Sequence, residues 1–303
     1  MYAFEVIWNQ DLKGLRQYLE KSQQPDLRDA SGDTLLHAAI HESSLAMVKM
    51  LLDYGASPQR VDHFGNTPIH LATLLGDAEI VEVLLEHGAE IDATTESRRW
   101  TPLMIALNEK NLDLARWLMR QGANPNFEVH TEGWTPLLVA CDMGLRDFSL
   151  QLIERGASLD AKVTSGDLRG RSAIHLASYN GEVGLVEMLV NRGADVNLVP
   201  DGGGLSSLHW AVYNGHQDLV EYLLSQGANP NLRADGIYQR RTPLHYAVSF
   251  RHLLIAEHLL QHHASPLVKD SEGDSPFDLA YRASQESEAY IYHDMVGLLK
   301  SYL

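Results

Sequence analysis

Thr67-Pro68-Ile69-His70-Leu71-Ala72 is the stretch that decides the fold of this chain. A threonine hydroxyl can accept a hydrogen bond from an unpaired N–H in the first turn of a helix. Proline suits the first helical position, where no N–H is needed. Gly76 then stands where the helix must end. Beyond it Ile80, Val81, Leu84 and Leu85 fall on one helical face, and Gly88 marks a second stop. The unit is a pair of short helices.

It recurs along the chain. Thr34-Leu35-Leu36-His37-Ala38-Ala39 precedes it; Thr101-Pro102-Leu103-Met104-Ile105-Ala106 and Thr135-Pro136-Leu137-Leu138-Val139-Ala140 follow. Three more copies start at Ser172, Ser206 and Thr242, and Ser275-Pro276-Phe277-Asp278-Leu279-Ala280 closes the series. The leading hydroxyl residues are spaced by 33, 34, 34, 37, 34, 36 and 33 positions. Seventeen residues after each of the first seven comes an apolar pair, from Leu51-Leu52 to Leu259-Leu260. Two short helices cannot bury their apolar faces alone, so neighbouring units must stack. All eleven prolines fall at helix starts or in connections.

These motifs resemble the ankyrin repeats, whose TPLHxA signature and period of about 33 residues match. The resemblance covers essentially the whole chain. It implies an all-α stack of helix pairs joined by hairpin-like fingers, in a single domain over 1–303. Eight units are read at 29–61, 62–95, 96–129, 130–166, 167–200, 201–236, 237–269 and 270–303. Residues 1–28 form a degenerate leading pair with Phe4, Val6, Ile7, Leu12, Leu15 and Leu19 as its apolar set. The unit 270–303 is the closing cap. Its apolar pair, Leu298-Leu299, comes six residues late, and the polar insert 283–288 is expected to lengthen the connection between its helices.

Composition bounds the function. Hydrophobic residues make up 45% of the 303, enough for a continuous core. The net charge of −16 argues against nucleic-acid backbones and anionic membranes as partners. No apolar run approaches the length of a membrane span. A single cysteine, Cys141, excludes an internal disulfide, and the N-terminus has no signal-peptide pattern. The expectation is a soluble, intracellular, cytoplasmic protein without a cofactor.

Chemistry-bearing residues are sparse. The motif histidines His37, His70, His175, His209 and His245 are expected to bridge each first helix to the adjacent finger rather than to bind metal. Met104 and Leu138 take that place in two units. An alternative reading makes the protein an enzyme or metal binder through Cys141 or the pair His258 and His262. That pair lacks a third ligand and the glutamate of an HExxH site. No metal or catalytic site is assigned. Gly202-Gly203-Gly204 reads as a turn.

Charge is unevenly placed. Segments 94–100, 161–171 and 232–241 carry +5, leaving −21 for the rest of the chain. They are the third, fifth and seventh fingers. The family generally grips proteins with the concave surface made by its fingers and first helices. Carried over by phase, the expected contacts from the fingers are Phe64, Arg98, Arg99, Trp100, Trp134, Arg169, Arg171, Tyr238, Arg240 and Arg241. Those from the first helices are Tyr179, Tyr213 and Phe250. Arginine, tryptophan and tyrosine dominate interface hot spots. The resemblance and these residues together imply a non-enzymatic scaffold, or a stand-alone inhibitor or neutraliser, for a protein partner with an acidic contact surface. Arg98, Arg99 and Trp100 are expected to project from their finger.

Overall fold

A computed structural model describes residues 2–200, 203–286 and 290–303. Among these every regular element is helical: eighteen α-helices, two 3-10 turns, and three isolated β-bridges in place of a sheet. The chain divides into two compact units, 1–143 and 144–303.

The first unit contains α1 (Tyr2–Trp8) and α2 (Leu12–Ser22), α3 (Leu35–His41) and α4 (Leu45–Asp53), α5 (Pro68–Leu75) and α6 (Ala78–Glu86). It continues with α7 (Pro102–Asn108) and α8 (Leu112–Arg120) and ends with α9 (Pro136–Asp142). The helices α1, α3, α5, α7 and α9 pack in series, and α2, α4 and α6 do the same behind them.

The second unit starts with α10 (Arg146–Glu154). The pairs α11 (Ala173–Asn180) and α12 (Val183–Asn191), α13 (Ser207–Tyr213) and α14 (Gln217–Ser225) follow. Last come α15 (Pro243–Ser249) with α16 (Leu253–Gln261) and α17 (Pro276–Glu286) with α18 (Tyr290–Lys300). One layer runs α11, α13, α15, α17 and the other α10, α12, α14, α16, α18.

Sequence chemistry accounts for the boundaries. Thr101 and Thr135 accept from Met104 N and Leu138 N, and Pro68, Pro102, Pro136, Pro243 and Pro276 each begin a helix. Gly76 and Gly181 end α5 and α11 in the left-handed region, at φ 77° and 74°. Ile80, Val81 and Leu84 are fully buried, as are Leu219, Val220 and Leu223 at the same phase of α14. Each such side chain contributes about 1.5–3 kcal/mol of burial.

The motif histidines are structural. His70 Nε2 lies 2.9 Å from the carbonyl oxygen of Ala93, and its Nδ1 lies 2.8 Å from Thr67 Oγ1. A carbonyl can only accept, so Nε2 carries the proton and Nδ1 receives the hydroxyl. His37, His175, His209 and His245 reach Asn66, Leu198, Arg241 and Asp274 oxygens in the same way, at 2.9 to 3.2 Å. One ring thus closes the helix start and pins the next finger.

Two local expectations change. Leu12 is exposed at the start of α2, while Phe4, Val6, Ile7, Leu15 and Leu19 form the buried set of the leading pair. In the closing unit Ala283, Ser284, Gln285 and Glu286 extend α17 to eleven residues instead of entering a loop. Ser287 and Glu288 of that insert, like Gly202 of the glycine run, lie outside the described residues.

Candidate functional site

In the first unit the finger before α7 turns Trp100 inward. Its backbone N–H donates to Thr95 Oγ1 at 3.1 Å and its carbonyl accepts from Thr95 N at 3.0 Å. Arg99 takes a left-handed φ of 58° between them. The indole is only 9% exposed and meets Trp134 edge-on, with centroids 6.4 Å apart. Arg98 covers its outer face at 5.4 Å. Gly65 touches this finger, accepting from Glu96 N at 2.9 Å, and a Cβ there would lie 2.4 Å from Glu96 Cβ. The expectation that Trp100 projects into solvent is therefore corrected: the arginines are outside and the tryptophan is packing.

The second unit repeats the device at shorter range. Arg171 ends a finger hairpin, accepting from Val163 N at 3.0 Å, and lays its guanidinium 4.3 Å from the Trp210 ring centroid. Trp210 stands on α13 and is 6% exposed. From it an aromatic strip crosses three successive first helices. Tyr179 of α11 meets Trp210 edge-on at 5.2 Å, and Trp210 meets Tyr213 at 5.8 Å. Tyr213 reaches Phe250, which caps the end of α15, at 4.7 Å and Tyr246 of α15 at 6.0 Å. Tyr179, Tyr213 and Phe250 are 45%, 39% and 43% exposed. Tyr246 underlies them; burial pushes its hydroxyl up to about 12.

A family profile described as ankyrin repeats (3 copies) matches residues 1–95, 90–165, 159–234 and 207–270. The chain belongs to the ankyrin-repeat family. No curated protein matches it. The profile matches end at residue 270, and α17 and α18 pack on α15 and α16 as a further pair of the ankyrin array. Ankyrin repeats are generally protein–protein interaction modules and typically non-catalytic.

On this ankyrin frame the sequence-derived contacts separate into three groups. Phe64, Arg98, Arg99, Arg169 and Arg240 are exposed on fingers; Arg171, Trp134 and Tyr238 are half-buried there. Tyr179, Tyr213 and Phe250 are brought together in the strip. Arg241 is diverted: its Nε lies 3.2 Å from Asp270 Oδ2, and the Asp270 side chain is fully buried. Burial pushes that carboxyl up, but backbone N–H groups of Asp274 and Glu272 and the Arg241 guanidinium hold it below the usual carboxylate range. Arg241 is therefore a packing cation, not an available one. Arg240 pairs with Asp235 at 3.4 Å on the surface.

Trp210 and Tyr246 are members the sequence reading missed. Both occupy the variable position of their motifs, Ser206-Ser207-Leu208-His209-Trp210-Ala211 and Thr242-Pro243-Leu244-His245-Tyr246-Ala247. The available signal was helical spacing: Trp210 is three residues before Tyr213, and Tyr246 four before Phe250.

Cys141 is buried in α9. His258 Nε2 lies 2.9 Å from Glu221 Oε1, while His262 Nδ1 is occupied by the His258 carbonyl oxygen at 2.9 Å. Among the described residues no three His, Cys, Asp or Glu side chains converge as metal ligands. No helix among them is long and apolar enough to cross a membrane.

Proposed function

We propose that the protein is a non-catalytic binding module that grips a protein partner with its fingers and first helices. One observation carries this reading: Tyr179, Tyr213 and Phe250 lie exposed in one strip, where packing alone would have placed them inward or replaced them with polar residues. The helix stack fixes these rings in advance, so association spends little on ordering them. Arg169 and Arg171 at the edge of the strip favour a partner whose contact surface carries carboxylates. Binding is the activity of the whole array, 1–303 acting as one domain in the cytoplasm, and inhibition of the bound protein is its simplest consequence.

Immobilised protein and the variant Tyr179→Ser, Tyr213→Ser, Phe250→Ser, compared in extracts of the source cell, provide the test. A protein retained by the parent should fall at least tenfold on the variant, while thermal melting stays close to the parent's. Equal retention on both would overturn the reading.

A further inference from the structure

The exposed rings of the second unit recur at the period of the repeat and are held in place by packing. Tyr179 and Tyr213 share one phase, seven residues after Ser172 and Ser206, on α11 and α13, which pack directly against each other. Tyr179 is held edge-on by Trp210 at 5.2 Å. Tyr213 is held by Trp210 at 5.8 Å, by Tyr246 at 6.0 Å and by Phe250 at 4.7 Å. These neighbours are turned by 60° to 78° to one another, so ring faces and ring edges alternate along the strip.

The polar groups of the strip are one-sided. The exposed Tyr179 and Tyr213 side chains make no hydroxyl hydrogen bond among the described residues, so each has a proton to give. The backbone acceptor beside them is occupied: the Tyr179 carbonyl takes Asn214 Nδ2 at 2.7 Å and His216 Nε2 at 3.1 Å. A carbonyl oxygen has two lone pairs, so this one is full. Arg169 and Arg171, which line one cavity with Trp210 on the finger side, can only donate. A chain laid on the strip therefore gains by presenting carbonyls and carboxylates and loses by presenting N–H groups.

Spacing selects the conformation of that chain. Packed helices lie about 8–10 Å apart, which sets the distance between equivalent phenols on α11 and α13. A polyproline II chain returns a carbonyl to the same side every three residues, about 9.3 Å, and makes no hydrogen bonds of its own. A β-strand steps along one face by about 6.7 Å, short of this spacing at one step and past it at two. An α-helix approaches it with residues seven apart, about 10.5 Å, but its carbonyls are occupied within the helix. Proline meets the remaining demand: it has no N–H, and its segments dock on aromatic-lined surfaces. We propose that the strip is the docking site for a proline-containing segment of the partner protein, bound as a polyproline II helix across α11, α13 and α15. Its prolines stand three residues apart, and its acidic residues lie toward Arg169 and Arg171, whose charge they complement. This rests on the protein-binding reading and names the conformation and chemistry of the bound segment. A stiff segment on fixed rings loses little conformational freedom on either side.

Fluorescence anisotropy of fluorescein-labelled, amidated peptides titrated with the full chain supplies the test. Two probes, Glu-Ala-Pro-Leu-Ala-Pro-Leu-Glu and Glu-Ala-Pro-Leu-Ala-Leu-Pro-Glu, share one composition but space their prolines by three and by four. A third is the first with both glutamates replaced by lysine, and a fourth is an alanine-based helical peptide with two leucines seven residues apart. The first peptide should bind saturably and at least tenfold more tightly than the other three. Tyr179→Phe with Tyr213→Phe keeps both rings and removes both hydroxyls; it should weaken that binding about tenfold while the protein melts like the parent. No saturable binding, equal binding of the two spacings, tighter binding of the lysine or helical peptide, or an unaffected double variant would overturn the proposal. If the spacing preference fails while the triple serine variant still loses its retained protein, the binding reading stands and the proline segment falls. If both fail together, the binding reading falls as well.

Discussion

His209 Nε2 donates its proton to the carbonyl oxygen of Arg241, 3.1 Å away, and so joins the start of α13 to the finger of the next repeat. Burial drives the pKa of this ring down to about 4, and that of His175 likewise. His37, His70 and His245 are lowered for the same reason. A lowered histidine binds its proton more readily in the unfolded chain. Its contribution is complete above the unfolded pKa of 6.5 and is lost as pH falls from there toward 4. The urea midpoint should fall between pH 7 and pH 4.5, with a slope of at most about 1.4 kcal/mol per pH unit for each such histidine. The lowered carboxyls of Asp33, Asp270 and Asp278 lose their contribution only on approaching the ordinary carboxyl value of 3.8 or below, under most of this window. Exposed His63, raised by its hydrogen bond to Asp33, has the opposite sign: its contribution is present below 6.5 and lost as pH rises through its folded pKa. His175→Gln should flatten the acid slope; an unchanged slope would show that the rings titrate freely.

Trp100 and its two arginines should separate in stability. Trp100→Ala opens a hole against Trp134 and should cost about 3 kcal/mol in urea unfolding, the low end of the range for a large buried aromatic. Arg98→Glu with Arg99→Glu should stay within about 0.5 kcal/mol per site, because both side chains are exposed. Equal losses in the two variants would contradict the inward placement of the indole.

Neighbouring arginines should behave differently as well. Arg241→Met leaves the fully buried Asp270 carboxylate without its cation and should destabilise by about 1–3 kcal/mol. Arg240→Met breaks only a surface pair and should change stability by less than about 0.5 kcal/mol. Chemical denaturation of the two single variants decides between them.

Removing 270–303 should cost solubility more than trimming residues 1–3. Helices α17 and α18 cover α15 and α16, where Leu259 and Leu260 are buried. Without that cover the apolar ends of two stacked layers meet water. Light scattering should show association of the shortened chain; a monomer that melts like the parent would contradict this.

The helix pairs, their order and their caps were legible in the residues alone, because each depends on chemistry within one repeat. A hydroxyl at Thr101, a proline at Pro68 and a glycine at Gly76 act on their own backbone. The histidine bridge was legible too, since a ring at fixed phase reaches a finger at fixed phase. The direction of a finger side chain was not. Trp100 and Arg99 are adjacent, yet one is packed and the other exposed, because Trp134 arrives from the following repeat and Arg99 turns through a left-handed φ. Arg240 and Arg241 divide in the same way, on whether a buried carboxylate waits opposite. Periodicity along the chain determined which residues could stack; contacts between repeats, distant in sequence and set by packing, decided which side chains remain free to meet a partner.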